Sequence, residues 1–260
     1  MSEGRRWALV LGSSSGFGEA ASKALAASGR SIFGVHMDRR STMPHVEEVI
    51  DALKEAGAEV EFFNMNAADP DKRAEALDAM KERMGPDGTI DVLLHSLAFG
   101  TLRPYTGEQA VSEAQMDMTV RVMAHSLVDW VQGVIERGMM GEGGRIFAMT
   151  SSGSTRVIPS YGPVSAAKAA LESHIRQLAY ELAPLGITAN ALRGGVTDTP
   201  ALRKIPGNDR LIEAAKARNP AGRLTTPEDV AAALVALAVP GTRWLTGNVV
   251  NVDGGEEITG

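Results

Sequence analysis

A doubly wound α/β fold, with a parallel sheet between two layers of helices, is what this 260-residue sequence predicts. Three observations carry that expectation. Short β-branched or apolar runs alternate with helical patterns along the chain, which argues for repeated right-handed βαβ units. A glycine-rich turn stands between the first such run and the first helical pattern. The 28 glycines and the 44% hydrophobic fraction suit a sizeable core joined by many tight turns. No internal repeat, low-complexity tract or linker interrupts the pattern, so one domain over 1–260 is expected.

The short runs place strands at Trp7–Leu11, Ser31–His36, Val60–Asn64, Asp91–Ser96, Arg145–Thr150, Ile187–Leu192 and Asn248–Val252, seven in all. Helices are expected between them, at Phe17–Ala27, Pro44–Ala56, Asp71–Met84, Glu113–Arg137, Pro163–Ala183 and Pro227–Val239. Within Pro163–Ala183, Leu171, Ile175, Leu178 and Leu182 recur at helical spacing, a stripe that should pack on the sheet. The polar, helix-competent stretch from Thr199 to Leu224 breaks the alternation as an inserted lid would, so a lid is expected near 199–224.

Composition excludes several classes of function. A net charge of −6 argues against general nucleic-acid or anionic-membrane affinity. The absence of cysteine excludes disulfides, thiolate metal sites and a thiol nucleophile, and fits a reducing cytoplasm; no metal centre is expected. Arg5 and Arg6 precede an apolar run too short for a signal-peptide core. The longest apolar run, Val230 to Val239, is too short to span a bilayer.

The first turn reads Gly12-Ser13-Ser14-Ser15-Gly16-Phe17-Gly18. Such a turn lets the backbone approach a pyrophosphate, whose charge is favoured at a helix N-terminus, so the chain is expected to be Rossmann-like and to bind a dinucleotide. The second strand ends at His36, where an Asp or Glu would grip the adenosine ribose of NAD. Arg39 and Arg40 follow without a carboxylate at the strand end, which favours a 2′-phosphate and hence NADPH. In the alternative, Asp38 holds the ribose, the arginines are solvated and NADH is used. The later strand ends bring His95 to Gly100, Thr150 to Gly153 and Arg193 to Pro200 to the edge where open α/β sheets bind ligands. Tyr161 and Lys168 stand seven positions apart, close to two helical turns, with Pro163 suited to the first turn between them. A phenol there can donate to an oxyanion beside a nicotinamide, and an ammonium can make that phenol more acidic.

From about Trp7 to Gly255 the chain resembles the short-chain dehydrogenase/reductase superfamily, through GSSSGFG, the Tyr161/Lys168 pair, GGVTDTP and the closing LTGNVVNVDGG. Most members carry Y-x3-K, whereas Val164 stands four residues before Lys168 here. They also carry Asn-Asn-Ala-Gly where this chain reads HSLAFG, and an Asn where Arg121 lies. These departures look like the enoyl-acyl-carrier-protein reductases of bacterial fatty-acid synthesis, and GGVTDTPALRKIP with Leu102-Arg103-Pro104 is most similar to the NADPH-using variant typified in Bacillus. The resemblance implies catalysis by Tyr161, Lys168 and Ser151. It implies cofactor contacts from Gly12, Ser14, Ser15, Gly16, Phe17, Gly18, His36, Arg39, Arg40, Asn66, Ala67, Ser96, Leu97, Ala98, Lys168, Val196, Thr197 and Thr199. An acyl pocket would involve Phe99, Leu102, Tyr161, Leu202 and Ile205.

The implied reaction is NADPH-dependent reduction of the 2,3-double bond of a thioester carried by acyl carrier protein or coenzyme A. Tyr161 would hydrogen-bond the enolate oxygen, and Lys168 would hold the nicotinamide ribose. A homotetramer built through Glu113–Arg137 and Pro163–Ala183 is implied in the same way. A ketone or alcohol oxidoreductase of the same superfamily, and a dinucleotide-binding regulator without turnover, remain alternatives.

Overall fold

The computed structural model describes residues 4–205 and 207–259, so Pro206 of the expected lid lies outside the described residues. Seven strands, β1 (Arg6–Leu11), β2 (Ser31–His36), β3 (Val60–Asn64), β4 (Thr89–His95), β5 (Arg145–Thr150), β6 (Thr188–Gly194) and β7 (Val249–Val252), form one parallel sheet. Its order is β3-β2-β1-β4-β5-β6-β7. The chain winds outward from β1 to β3, then restarts at β4 on the other side of β1. The crevice beyond the carboxyl ends of β1 and β4 is therefore the switch point where such sheets bind ligands.

Alternate side chains of each strand face opposite layers. Leu9 and Leu11 join a core with Leu77, Leu127, Trp130, Leu171 and Ile175, contributed by α3 (Pro70–Met84), α5 (Ser126–Glu136) and α6 (Gly162–Leu182). Ala8 and Val10 join the other, with Leu25, Val49 and Leu234 from α1 (Gly16–Ala27), α2 (Met43–Glu55) and α8 (Pro227–Leu237). The expected stripe on α6 is buried as anticipated.

One helix differs from expectation. The stretch expected as a single helix at Glu113–Arg137 is α4 (Glu113–Val120), then a π turn at Arg121–His125, then α5. Side-chain hydroxyls compete for backbone carbonyls on either side of that turn: Thr119 donates to Gln115 O at 2.7 Å and Ser126 to Val122 O at 2.7 Å. Such back-bonding loosens the regular ladder. Between β6 and α8 the chain makes a 3-10 turn at Leu202–Lys204 and a helix, α7 (Asn208–Arg218), where the lid was expected.

Candidate active site

The glycine turn is held open by steric necessity. Gly12 has φ 89°, and a side chain there would strike the Ser96 carbonyl at the end of β4. A side chain at Gly18 would strike the Gly12 carbonyl, so helix and turn touch backbone to backbone. Ser15 caps α1 without a side-chain hydrogen bond, leaving the first-turn amides for an anion. Thr199 hangs over this turn, its methyl 3.5 Å from the position a Gly16 Cβ would occupy, and the Phe17 ring packs on Gly194. The cradle thus fits a pyrophosphate in shape and polarity.

The end of β2 corrects the expectation that it lacks a carboxylate. Asp38 folds back onto it: His36 Nδ1 lies 3.0 Å from Asp38 Oδ2, and Thr42 donates to Oδ1 at 2.7 Å. Asn64 clamps the same residue, accepting from the Asp38 amide at 3.0 Å and donating to its carbonyl at 3.0 Å. Burial works against the Asp38 charge, but hydrogen bonds from Ser14, Thr42 and His36 outweigh it and hold the carboxyl below its ordinary range. The carboxylate is therefore ionised, and the Ser14 hydroxyl of the glycine turn helps to hold it so. His36, expected to touch a cofactor, is 4% exposed and instead orients Asp38 from beneath. Arg39 and Arg40 are exposed, and among the described residues neither has a carboxylate partner.

The other expected contacts divide. Ser15, Asn66 and Ala98 are exposed, while Ser96 and Leu97 are half-buried at the end of β4. Ala67 is a core residue whose carbonyl accepts from the Trp130 indole at 2.8 Å, so its burial leaves it little to offer a ligand. The Val196 amide is already bonded to Glu256 Oε2 at 2.9 Å. Thr197 and Thr199 are buried; the first donates to Gly195 O at 3.0 Å, and the second accepts from the Leu202 amide at 3.2 Å.

Tyr161 stands immediately before α6, preceded by Ser160 at φ 60°, the one non-glycine residue with positive φ among those described. Backbone strain of that kind needs surrounding structure to sustain it and gathers at functional sites. The Tyr161 ring lies so close to Gly153 that a side chain there would overlap it. Burial raises the phenol above its ordinary range, and a side-chain hydrogen bond with Ser151 partly offsets this. Lys168 is 5% exposed and donates to Met149 O at 2.6 Å and Leu97 O at 3.5 Å. Burial lowers its ammonium to about 8, opposed by the charge of Glu172. In this state the ammonium is satisfied by strand-end carbonyls rather than by the phenol.

Leu102 and Tyr161 pack with Val120, Met123, Val164 and Ala167, giving an apolar wall beside the phenol. Sequence reasoning had found Leu102 but missed Val120 and Met123, which the π turn presents, and Val164, noted only as a missing Tyr. Phe99 is about half exposed, Ile205 half-buried and Leu202 buried, so these expected pocket residues do not share one environment. In the lid, Arg203 pairs with Asp198 at 2.8 and 3.0 Å, Arg223 with Asp229 at 2.6 and 2.9 Å, and Arg218 with Glu256 at 3.3 Å. Among the described residues, Lys204, Arg210 and Lys216 keep unpaired charge there.

Known proteins point the same way. The family model described as Enoyl-(Acyl carrier protein) reductase matches residues 12–257. Enoyl-[acyl-carrier-protein] reductase [NADH] of Aquifex aeolicus (strain VF5) is 33% identical over 174 residues, covering 66% of this chain and 64% of that protein. A solved structure of the Aquifex aeolicus VF5 enoyl-[acyl-carrier-protein] reductase (NADH) superposes with a TM-score of 0.86 at 27% identity, covering 99% of this chain and 98% of that one. A short chain dehydrogenase from Burkholderia cenocepacia J2315, solved in complex with NADP, gives 0.83 at 27% identity over 98% of this chain and 100% of that one.

Proposed function

From the premise that this chain belongs to the enoyl-(acyl carrier protein) reductase family, within the short-chain dehydrogenase/reductase superfamily, we propose that it reduces the 2,3-double bond of trans-2-enoyl thioesters with a nicotinamide cofactor. The observation that carries this reading is that the Tyr161 ring and Ser151 Oγ both crowd Gly153, with Tyr161 packed on the apolar wall of Leu102, Val120, Met123 and Val164 and buried Lys168 anchored to Met149 O, two residues before Ser151. The bound nicotinamide supplies a hydride to C3 of the substrate. As charge develops on the thioester oxygen, the Tyr161 hydroxyl donates a hydrogen bond to it from a position fixed before the reaction. Ser151 orients that hydroxyl, and the apolar wall excludes water from C2 and C3. Lys168 would hold the cofactor ribose when it is bound, and its charge near the phenol would counter the upward push of burial. The proton that reaches C2 comes from Tyr161 or from solvent.

The cofactor we assign is NADH. Asp38, ionised and clamped at the end of β2, suits a ribose 2′-hydroxyl and repels a 2′-phosphate. Exposed Arg39 and Arg40, on which the expectation of NADPH rested, support the other cofactor less well, because nothing fixes them. The Aquifex relative is named for NADH. The acyl group arrives on acyl carrier protein, whose acidity suits Lys204, Arg210 and Lys216 on the lid, and the pathway is fatty-acid synthesis in the cytoplasm. No described helix is long and apolar enough to cross a membrane. Pairing of α5 and α6 with those of other copies to form a tetramer is consistent with Tyr180, 78% exposed on α6.

A second reading, reduction of a ketone such as a 3-oxoacyl thioester, draws on Ser151, whose hydroxyl shares the space against Gly153 with the Tyr161 ring and could equally hold a carbonyl oxygen. Following cofactor absorbance with NADH and NADPH, each against a trans-2-enoyl and a 3-oxoacyl thioester, separates the possibilities. Turnover of the enoyl substrate with NADH is expected. Turnover of the 3-oxoacyl substrate alone would overturn the reading, and turnover with NADPH alone would overturn the cofactor.

A further inference from the structure

A buried carboxylate stands one helical turn beyond Lys168, and nothing in the reaction outlined above uses it. Glu172 is 8% exposed and follows Lys168 at the i, i+4 spacing that brings side chains together on a helix face. Its Oε1 accepts from the Thr150 hydroxyl at 2.6 Å and from Arg193 at 3.2 Å. Arg193 also donates to Ser154 Oγ at 3.1 Å, and Ser154 donates to Ser151 O at 3.0 Å. We propose that Glu172 is a positioning residue for Lys168: it keeps the buried ammonium charged and, through Thr150 and Arg193, fixes that charge relative to the loop that carries Ser151.

The surroundings of Lys168 leave this task to Glu172. From β4, His95 faces the same layer and is fully buried, with Nε2 2.9 Å from Ser126 Oγ. The Ser126 hydroxyl is already donating to Val122 O, so Nε2 must be the donor and Nδ1 a bare acceptor. Burial first, and then the Lys168 charge, hold His95 near 3, so it is neutral at any working pH. From the turn before α6, Tyr161 is a neutral phenol. From β5 come carbonyls and hydroxyls only, and from β6 the Arg193 guanidinium competes for Glu172. Glu257, 3.9 Å from Arg193, draws part of that competing charge toward the C-terminal segment, where Arg156 also binds it at 3.2 Å. Among the described residues, Glu172 is therefore the one negative charge acting on an ammonium whose burial favours loss of its proton.

The inference rests on Lys168 serving the proposed site, and its test needs neither cofactor nor substrate. Carbon-13 NMR of lysine-labelled, cofactor-free protein would follow the Lys168 titration, with Lys168→Met assigning the signal. Glu172→Gln keeps the shape and an acceptor for Thr150 but removes the charge, and it should lower the titration midpoint by about one pH unit. Glu172→Asp should recover most of that loss. Arg193→Met removes the competitor and should move the midpoint upward; the discriminating sign is the fall in Glu172→Gln, because mere loosening of the site would hydrate the ammonium and raise its midpoint. An unchanged midpoint in folded Glu172→Gln overturns the proposal. Should that variant fail to fold, a lowered or unchanged midpoint in Arg193→Met overturns it instead. The function itself stands or falls separately, on turnover of the enoyl thioester.

Discussion

The rim of the cleft at the end of β2 and the lid after β6 are built on opposite terms. At β2 a single carboxylate, Asp38, is gripped by His36 and Thr42, while Asn64 binds its backbone from both sides. Across the cleft, α7 sets one side chain, Ala215, into the fold. The lid's Arg203–Asp198 pair is exposed on both partners, and pairs of that kind hold little in water. The difference teaches where selectivity is stored. The half proposed to take the nucleotide is fixed by short connections to buried strands, so its preference would be set before binding. The half that would cover the proposed acyl site is lightly anchored, which would let it yield to substrates of different length.

The largest effect is expected where the two halves meet. Tyr161→Phe removes the donor and keeps the ring, so turnover of an enoyl thioester should fall about 100- to 1000-fold, while cofactor binding, read by fluorescence titration, stays close to wild type. Full turnover in that variant would move the acid elsewhere and leave the cleft's two sides without a shared centre. Next comes the fixed rim. Asp38→Asn should weaken NADH about 10- to 100-fold, the range of a lost charge-assisted hydrogen bond of about 1.5–3 kcal/mol, and should weaken NADPH much less. Replacing Arg39 and Arg40 with Ala should leave NADH affinity nearly unchanged. If it instead selectively damages NADPH binding in a protein that prefers NADPH, the rigid carboxylate is not the selector.

Smaller effects are expected at the lid. Reversing charge at Lys204 and Arg210 should lower kcat/KM roughly 3- to 10-fold for a carrier-protein substrate at low salt, vanish at high salt, and spare a coenzyme A analogue. Equal losses on both substrates would mean that the lid shapes the pocket rather than greeting a partner. The smallest change concerns Lys168. Its folded value, about 8, lies below the ordinary lysine range, so between the two the unfolded chain binds more protons and stability rises with pH. Below pH 8 the full cost of burying the charge remains, and Lys168→Met should raise Tm by a few degrees there, with about 2–4 °C per kcal/mol in a chain of this size. Cofactor affinity of the unaltered protein should weaken as pH climbs through about 8. A flat affinity profile from pH 7 to 9 would contradict the ribose role.

Much of this molecule could be read in advance, and the reason is periodicity. Strands such as Ser31–His36 and Val60–Asn64 announce themselves by short apolar runs, and α6 by its leucine stripe. The parallel sheet follows from alternation, and with it the carboxyl ends of strands past which Ser96 and Thr199 stand, while Tyr161 is placed by the start of α6. What periodicity cannot report is a chain reversing on itself. Asp38 lies two residues past its strand, and only the turn held by Thr42 and Asn64 returns its carboxylate to His36 at the strand end. The π turn at Arg121–His125 escaped for a related reason, since it depends on hydroxyls choosing carbonyls rather than on apolar spacing. Glu172 was within reach, because its distance of four from Lys168 is visible in the sequence.

The π turn also constrains which insertions and deletions this chain can tolerate. An α-helix advances about 100° per residue, so removing one residue from Arg121–His125 would swing everything beyond it by roughly that angle. Upstream, Thr119 Oγ1 accepts the Thr101 amide at 3.0 Å; downstream, Ser126 meets His95 and Trp130 reaches Ala67. A shorter version could keep the anchor before the turn or the anchors after it, but not both. The extra residue works as a phase correction between two clamps, and a one-residue gap at this point in a related sequence would mark a helix that has surrendered one of them.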